Sequence, residues 1–163
     1  MKTKPTCTVN SLKCKKGAVD LALVIDESSS ISHGDYYLTL LFLANLTDTM
    51  DIGPAMNQSQ VALVTFSSSA KLAFNLKRPN GNKKQLRDDI LNLMKTNEGT
   101  DIASGMNLAT TKVFTPTGGD RSDVQNVMLV LTDGEDNTDV TSAQKAAAAK
   151  NITVYVIAIG NGK

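Results

Sequence analysis

The sequence predicts one α/β domain: a doubly wound, mostly parallel central sheet with one antiparallel edge strand and helices on both faces. Three observations predict it. The runs Leu21–Ile25, Val127–Leu131 and Thr153–Ile159 are almost continuously apolar, the pattern of strands buried on both faces. Segments with helical apolar spacing alternate with those strands. The first two runs break into Asp with hydroxyl residues close by, and in an open α/β sheet the carboxyl ends of the strands form the ligand crevice.

Each element follows in order. The first strand is expected over about Asp20 to Ile25, ending in the loop Asp26–Ser30. Tyr36 to Met50 has apolar positions at Tyr37, Leu40, Leu41, Ala44 and Met50 and predicts a helix with Ser32 as its N-cap. A loop holding Gly53 and Pro54 leads to a second strand, Gln60 to Phe66. After the turn Ser67–Ser69, Lys71 to Leu76 alternates as an antiparallel edge strand does. Asn80-Gly81 signals a turn, and Lys83 to Met94 predicts an amphipathic helix on Leu86, Ile90, Leu93 and Met94, with Lys83, Lys84 and Arg87 on its wet face. Ile102 to Phe114 predicts another helix behind Thr100-Asp101. The buried strand Val127–Leu131 then ends in Thr132-Asp133-Gly134. Thr141 is expected to cap an Ala-rich helix to Lys150, and Thr153–Ile159 forms a third buried strand.

Length and composition narrow the function. The 163 residues suit one domain, read as an arm over 1–17 and a folded body over 18–163. Seventeen basic against sixteen acidic residues leave no global field for nucleic acid or an anionic membrane. No apolar run approaches the roughly 20 residues of a membrane helix. Cys7 and Cys14 lie close together ahead of the first strand. A zinc site would need a second pair of ligands, and the single histidine is His33, so a local disulfide and an oxidising compartment are the expectation. Sequons at Asn45, Asn57 and Asn151 agree with secretion.

The chemistry concentrates at Asp26-x-Ser28-x-Ser30, Thr100 and Asp133. Singly, each has an ordinary structural reading: Ser-rich loops and Thr before helices cap them, and Asp-Gly after a strand makes a turn. A carboxylate ending a buried strand is nonetheless costly to desolvate unless a cation or hydrogen-bond donors meet it. Three hydroxyls and two carboxylates offer only oxygen, which suits Mg²⁺, Mn²⁺ or Ca²⁺ better than copper or zinc. Glu135, Asp136 and Asp139 fit no calcium loop and read as a solvated acidic rim.

Read together, VDLALVIDESSSI, NEGTDIASGMNLA, NVMLVLTDGEDN and ITVYVIAIG resemble the von Willebrand factor A domain, also called the integrin I domain, over Val19 to Gly160. The resemblance implies a Rossmann-like sheet. It also implies a metal-ion-dependent adhesion site whose ligands are Asp26, Ser28, Ser30, Thr100 and Asp133, with Mg²⁺ as the cofactor. It further implies that an acidic side chain of a protein ligand completes the coordination. In the family a further strand and C-terminal helix follow, so they are expected to be missing here and to leave one sheet edge uncovered. Glu27 stands where many members have a small or neutral residue and is expected to point to solvent.

The functional expectation is a secreted, cation-dependent binding module of the extracellular matrix, with collagen or another matrix protein as its partner and no catalytic residue. One alternative is a structural module for cross-linking or self-association whose metal only stabilises the rim. A Mg²⁺-dependent phosphotransfer site is the third reading, and no lysine near the end of the last strand supports it before Lys163. No G-x-S-x-G nucleophile motif occurs either.

Overall fold

The computed structural model describes residues 17–78, 81–134 and 139–160. Cys7, Cys14, Glu135 and Asp136 therefore lie outside the described residues. Strand β1 (Val19–Asp26) sits at the centre, parallel to β2 (Gln60–Phe66) on one side and to β4 (Gln125–Thr132) on the other. Strand β3 (Ala70–Phe74) runs antiparallel to β2, and β5 (Ile152–Ala158) runs parallel to β4, giving the order β3-β2-β1-β4-β5. The helices are α1 (His33–Asp48), α2 (Lys83–Leu91), α3 (Ile102–Leu108), which continues into a π-helical turn over Ala109–Val113, and α4 (Thr141–Ala149). The chain winds outward from β1 through β2 and β3, then returns to β1's other side with β4. The topological switch point, where such sheets bind ligands, is thus the crevice above β1 and β4.

The continuous apolar run of β1 serves two cores at once. Leu21, Leu23 and Ile25 pack with Leu40 and Leu43 of α1 and with Leu86 and Ile90 of α2. Ala22 and Val24, the alternate residues, face Met106 of α3, Ala109, and Ala143 and Ala147 of α4. Burial of a Leu- or Ile-sized side chain contributes about 1.5–3 kcal/mol, so the central strand is anchored from both faces. The second face uses small residues, and Gly105 shows why: a Cβ there would lie 2.7 Å from Phe66 Cδ1 and 3.0 Å from Val24 Cγ1. A side chain at this position would push α3, and the loop before it, off the sheet.

Several local expectations change. Strand β5 is only partly buried: Ile152 is in the core, but Tyr155 and Val156 are 56% and 63% exposed, because no described element covers that edge. Helix α1 starts as expected, with Ser32 Oγ accepting from Asp35 N at 3.0 Å, but Tyr36, Thr39 and Thr47 face inward while Tyr37 is exposed. Thr39 and Thr47 satisfy their hydroxyls on the helix's own carbonyls, which removes the cost of burying them. Helix α2 ends at Leu91, with Asn92 as its C-cap, leaving Met94 84% exposed. Thr141 does not cap α4. It is the first helical residue, and its N–H donates to Asp139 Oδ1 at 2.8 Å.

Candidate metal centre

Asp26 closes β1 beside Thr132, the last residue of β4, since Ile25 is in register with Leu131. Its carboxylate is fully buried. Oδ1 accepts the Ser28 N–H at 2.9 Å and Oδ2 accepts the Thr132 hydroxyl at 2.7 Å. Thr132 Oγ1 in turn accepts from Gly134 N at 3.1 Å, which folds the Asp133-Gly134 turn over the strand end. Gly134 has φ +78°, a conformation that glycine adopts at little cost. Ser28 is buried, Ser30 is exposed, and their hydroxyl oxygens stand 2.9 Å apart. The alternating hydroxyls thus converge beside the carboxylate.

Electrostatics at this point favour a cation. Burial pushes the Asp26 carboxyl above its ordinary range, hydrogen bonds from Ser28 and Thr132 oppose that rise, and the neighbouring Asp133 charge adds to it. Among the described residues no Lys or Arg pairs with Asp26. A buried carboxylate held by neutral donors beside a second carboxylate is a site that a divalent ion would stabilise. The donor set is all oxygen, the chemistry of Mg²⁺, Mn²⁺ or Ca²⁺. No group of three or more His, Cys, Asp or Glu that could hold a metal occurs among the described residues.

Thr100 stands half-buried one residue ahead of the cap of α3. The capping is done by Asp101, whose carboxylate accepts from Ser104 N at 2.9 Å. Thr100 is thereby released from the structural task that its position suggests. Of the sequence-predicted residues, Asp26 ends β1, Ser28 and Ser30 lie on the loop that follows it, Thr100 precedes α3 and Asp133 follows β4.

One participant is misjudged by sequence alone. Glu27 does not point to solvent; it is 2% exposed. Its backbone N–H donates to Phe66 O at 2.8 Å, and Thr96 Oγ1 donates to Glu27 Oε1 at 3.1 Å. Burial raises the Glu27 carboxyl above its ordinary range, opposed by the Thr96 hydrogen bond, the Lys71 charge and Thr65. Lys95 is the second surprise: its ammonium donates to Ser28 O and to Asn97 Oδ1 at the rim of the site. The only sequence signal for either was polarity packed between two site motifs.

Three comparisons place this geometry. The family model described as von Willebrand factor type A domain matches residues 20–163. Human matrilin-1 is 30% identical over 156 residues, covering 96% of this chain and 31% of the relative. The mouse collagen alpha-4(VI) chain is 29% identical over 152 residues, covering 93% of this chain and 6% of that one. Among solved structures, proximal thread matrix protein 1 from the mussel byssus, with a zinc-occupied MIDAS motif, superposes with a TM-score of 0.81 at 28% identity. That match covers 90% of this chain and 39% of the other. The chain thus spans a third or less of the curated relatives named here.

Proposed function

The chain belongs to the von Willebrand factor type A family, and from that premise we propose that Asp26, Ser28, Ser30, Thr100 and Asp133 hold a divalent cation through which the domain grips a matrix protein. The observation that carries this reading is the buried Asp26 carboxylate, met by neutral donors and faced by Asp133 at the switch point of the sheet. When bound, Mg²⁺, or Mn²⁺ or Ca²⁺ in its place, supplies a coordination position that a carboxylate oxygen from the ligand can complete. Ser28, Ser30 and Thr100 contribute neutral oxygens, and where Asp26 and Asp133 act partly through water the ion keeps its attraction for an anionic oxygen. Asp26 and Asp133 keep the cation in place, and Thr132 keeps the Asp26 carboxylate oriented. The zinc-occupied site of the byssus protein supports the view that this loop arrangement accepts divalent metals.

Matrilin and collagen relatives support a secreted module of the extracellular matrix, with an acidic segment of collagen or of another matrix protein as the ligand, and binding rather than catalysis as its role. The exposed sequon residues Asn45, Asn57 and Asn151 are compatible with glycosylation, and Cys7 and Cys14 with a disulfide. A second reading is self-association or cross-linking, with an ion that only stabilises the rim. Pull-down from a matrix extract with Mg²⁺ and with chelator separates the two. Capture that is released by chelator and lost in Thr100→Ala supports the adhesion site. Capture unaffected by both overturns it and favours the second reading.

A further inference from the structure

The loop that delivers Thr100 is not held by its own helix. Residues 95–99 form a strap laid across the Asp26–Ser30 loop and the exit of β2, and its fastenings are specific. Asn97 N donates to Glu27 O at 3.1 Å, and Ser29 N donates to Glu98 O at 2.8 Å, so the two loops exchange backbone hydrogen bonds. Thr96 Oγ1 bridges Glu27 Oε1 and Ser67 Oγ, each at 3.1 Å. Ser67 Oγ reaches Glu98 Oε2 at 3.4 Å, and Gly99 N donates to Ser68 Oγ at 2.9 Å. Lys95 Nζ on Ser28 O completes the set. Asn97 takes φ +59°, a left-handed turn that Asn tolerates, and this turn lets the strap engage on both sides of that residue.

We propose that Glu27 is a positioning residue for the metal centre: its buried carboxylate fastens the 95–99 strap and so fixes Thr100 against the Asp26–Ser30 loop. This rests on the five-residue site proposed above and adds a determinant from outside it. Among the described side-chain hydrogen bonds, the carboxylate is the one side chain of the Asp26–Ser30 loop that meets the strap. It does so through Thr96, four residues before Thr100. A residue at position 27 without an acceptor would leave the Thr96 hydroxyl with Ser67 alone. It would also loosen the segment that carries the only site hydroxyl supplied from outside the Asp26–Ser30 loop. Groups that orient metal ligands typically affect metal affinity by about 10–100-fold.

The test uses the whole chain with Glu27→Ala, Glu27→Gln and Thr96→Val, each alone and with Thr100→Ala, and Mn²⁺ as the probe. Calorimetric titration should show about a tenfold loss of Mn²⁺ affinity in Glu27→Ala and in Thr96→Val. Glu27→Gln keeps an acceptor oxygen for Thr96 and should restore most of the affinity. In the Thr100→Ala background the same substitutions should change affinity little further, because the strap then positions nothing that binds. In the metal-free protein, amide exchange at Ser29, Asn97 and Gly99 should accelerate in Glu27→Ala and Thr96→Val but not in Glu27→Gln. Should Glu27→Ala fail to fold, Thr96→Val decides from the other end of the same contact. Additive losses with Thr100→Ala, or unchanged affinity in Thr96→Val, overturn the positioning role. A parent that binds no Mn²⁺, or a Thr100→Ala that binds as the parent does, instead brings down the five-residue site and this role with it.

Discussion

Strand β1 carries a buried aspartate at each end, and the two are solved in opposite ways. Asp20 and Asp26 are six residues apart, so they share one face of the sheet, and both are fully buried. Asp20 is met by Arg121, whose Nε and Nη2 donate to Oδ1 at 3.0 and 2.6 Å while its backbone N–H donates to Oδ2 at 2.9 Å. Arg121 Nη1 also donates to Ala55 O at 2.7 Å, locking the loop after α1 to the base of the sheet. Asp26 has a hydroxyl, an amide and a neighbouring carboxylate instead. One end of the strand carries its own counter-charge and is structural. The other, in the reading proposed above, takes its counter-charge from a cation in solution.

The sharpest way to break this comparison is to remove the built-in cation. Arg121→Ala leaves Asp20 buried and unpaired, and removing one partner of a buried ion pair costs about 3–5 kcal/mol. Urea unfolding should show that loss, and metal should not repair it. Asp20→Leu with Arg121→Met should recover much of it, since an apolar pair of similar volume avoids the desolvation cost. An Arg121→Ala variant as stable as the parent would mean that the base of β1 tolerates a bare carboxylate, and the contrast with Asp26 would lose its force.

At the other end the larger effect should come from metal. Ion at 100 times its Kd adds about 2.7 kcal/mol, a rise of roughly 5–10 °C in Tm for a chain of this size. Asp133→Ala and Asp26→Asn should abolish the shift. In chelator, Asp26→Asn should change stability by only about 1 kcal/mol, because relief of a buried charge offsets weaker hydrogen bonds. Thermal melts with Mg²⁺, Mn²⁺ and chelator check both statements. A shift equal in mutant and parent would place the ion elsewhere.

The sequence made the Asp26 end legible and left the Asp20 end hidden for a physical reason. Asp26, Ser28 and Ser30 are neighbours along the chain, so their spacing can be read directly, and Thr100 and Asp133 each border a strand or helix end that apolar patterning reveals. Arg121 reaches Asp20 across 101 positions from a Gly-containing loop, and no local pattern announces such a pairing. Glu27 is hidden for a related reason: the Thr96 hydroxyl that meets its buried carboxylate lies 69 positions away, and no local pattern announces that contact. The parallel sheet and its helices were legible because fully buried strands write continuous apolar runs. The exposure of β5 was not, since an apolar run records a capacity for burial and cannot show what covers it.

The smallest expected effect on the fold is the most telling about function. Thr100 is half-buried, caps no helix and lies outside both hydrophobic cores, so Thr100→Ala should alter metal-free stability by no more than about 0.5 kcal/mol. Its hydroxyl is the one neutral oxygen of the proposed site that comes from outside the Asp26–Ser30 loop. Losing it should weaken binding of an acidic matrix ligand by at least about tenfold, an energy of about 1.4 kcal/mol. Thr100→Ser keeps the oxygen and should retain binding, which separates coordination from the packing of the methyl group. Changing the ligand's critical Glu to Gln should produce a loss that is not additive with Thr100→Ala, because both act at one coordination position. Binding measured by surface capture in Mg²⁺ and in chelator reads all three variants. If Thr100→Ala and Thr100→Ser bind alike, or chelator leaves the parent's affinity unchanged, the ligand contacts another surface. The two ends of β1 would then differ in electrostatics but not in function.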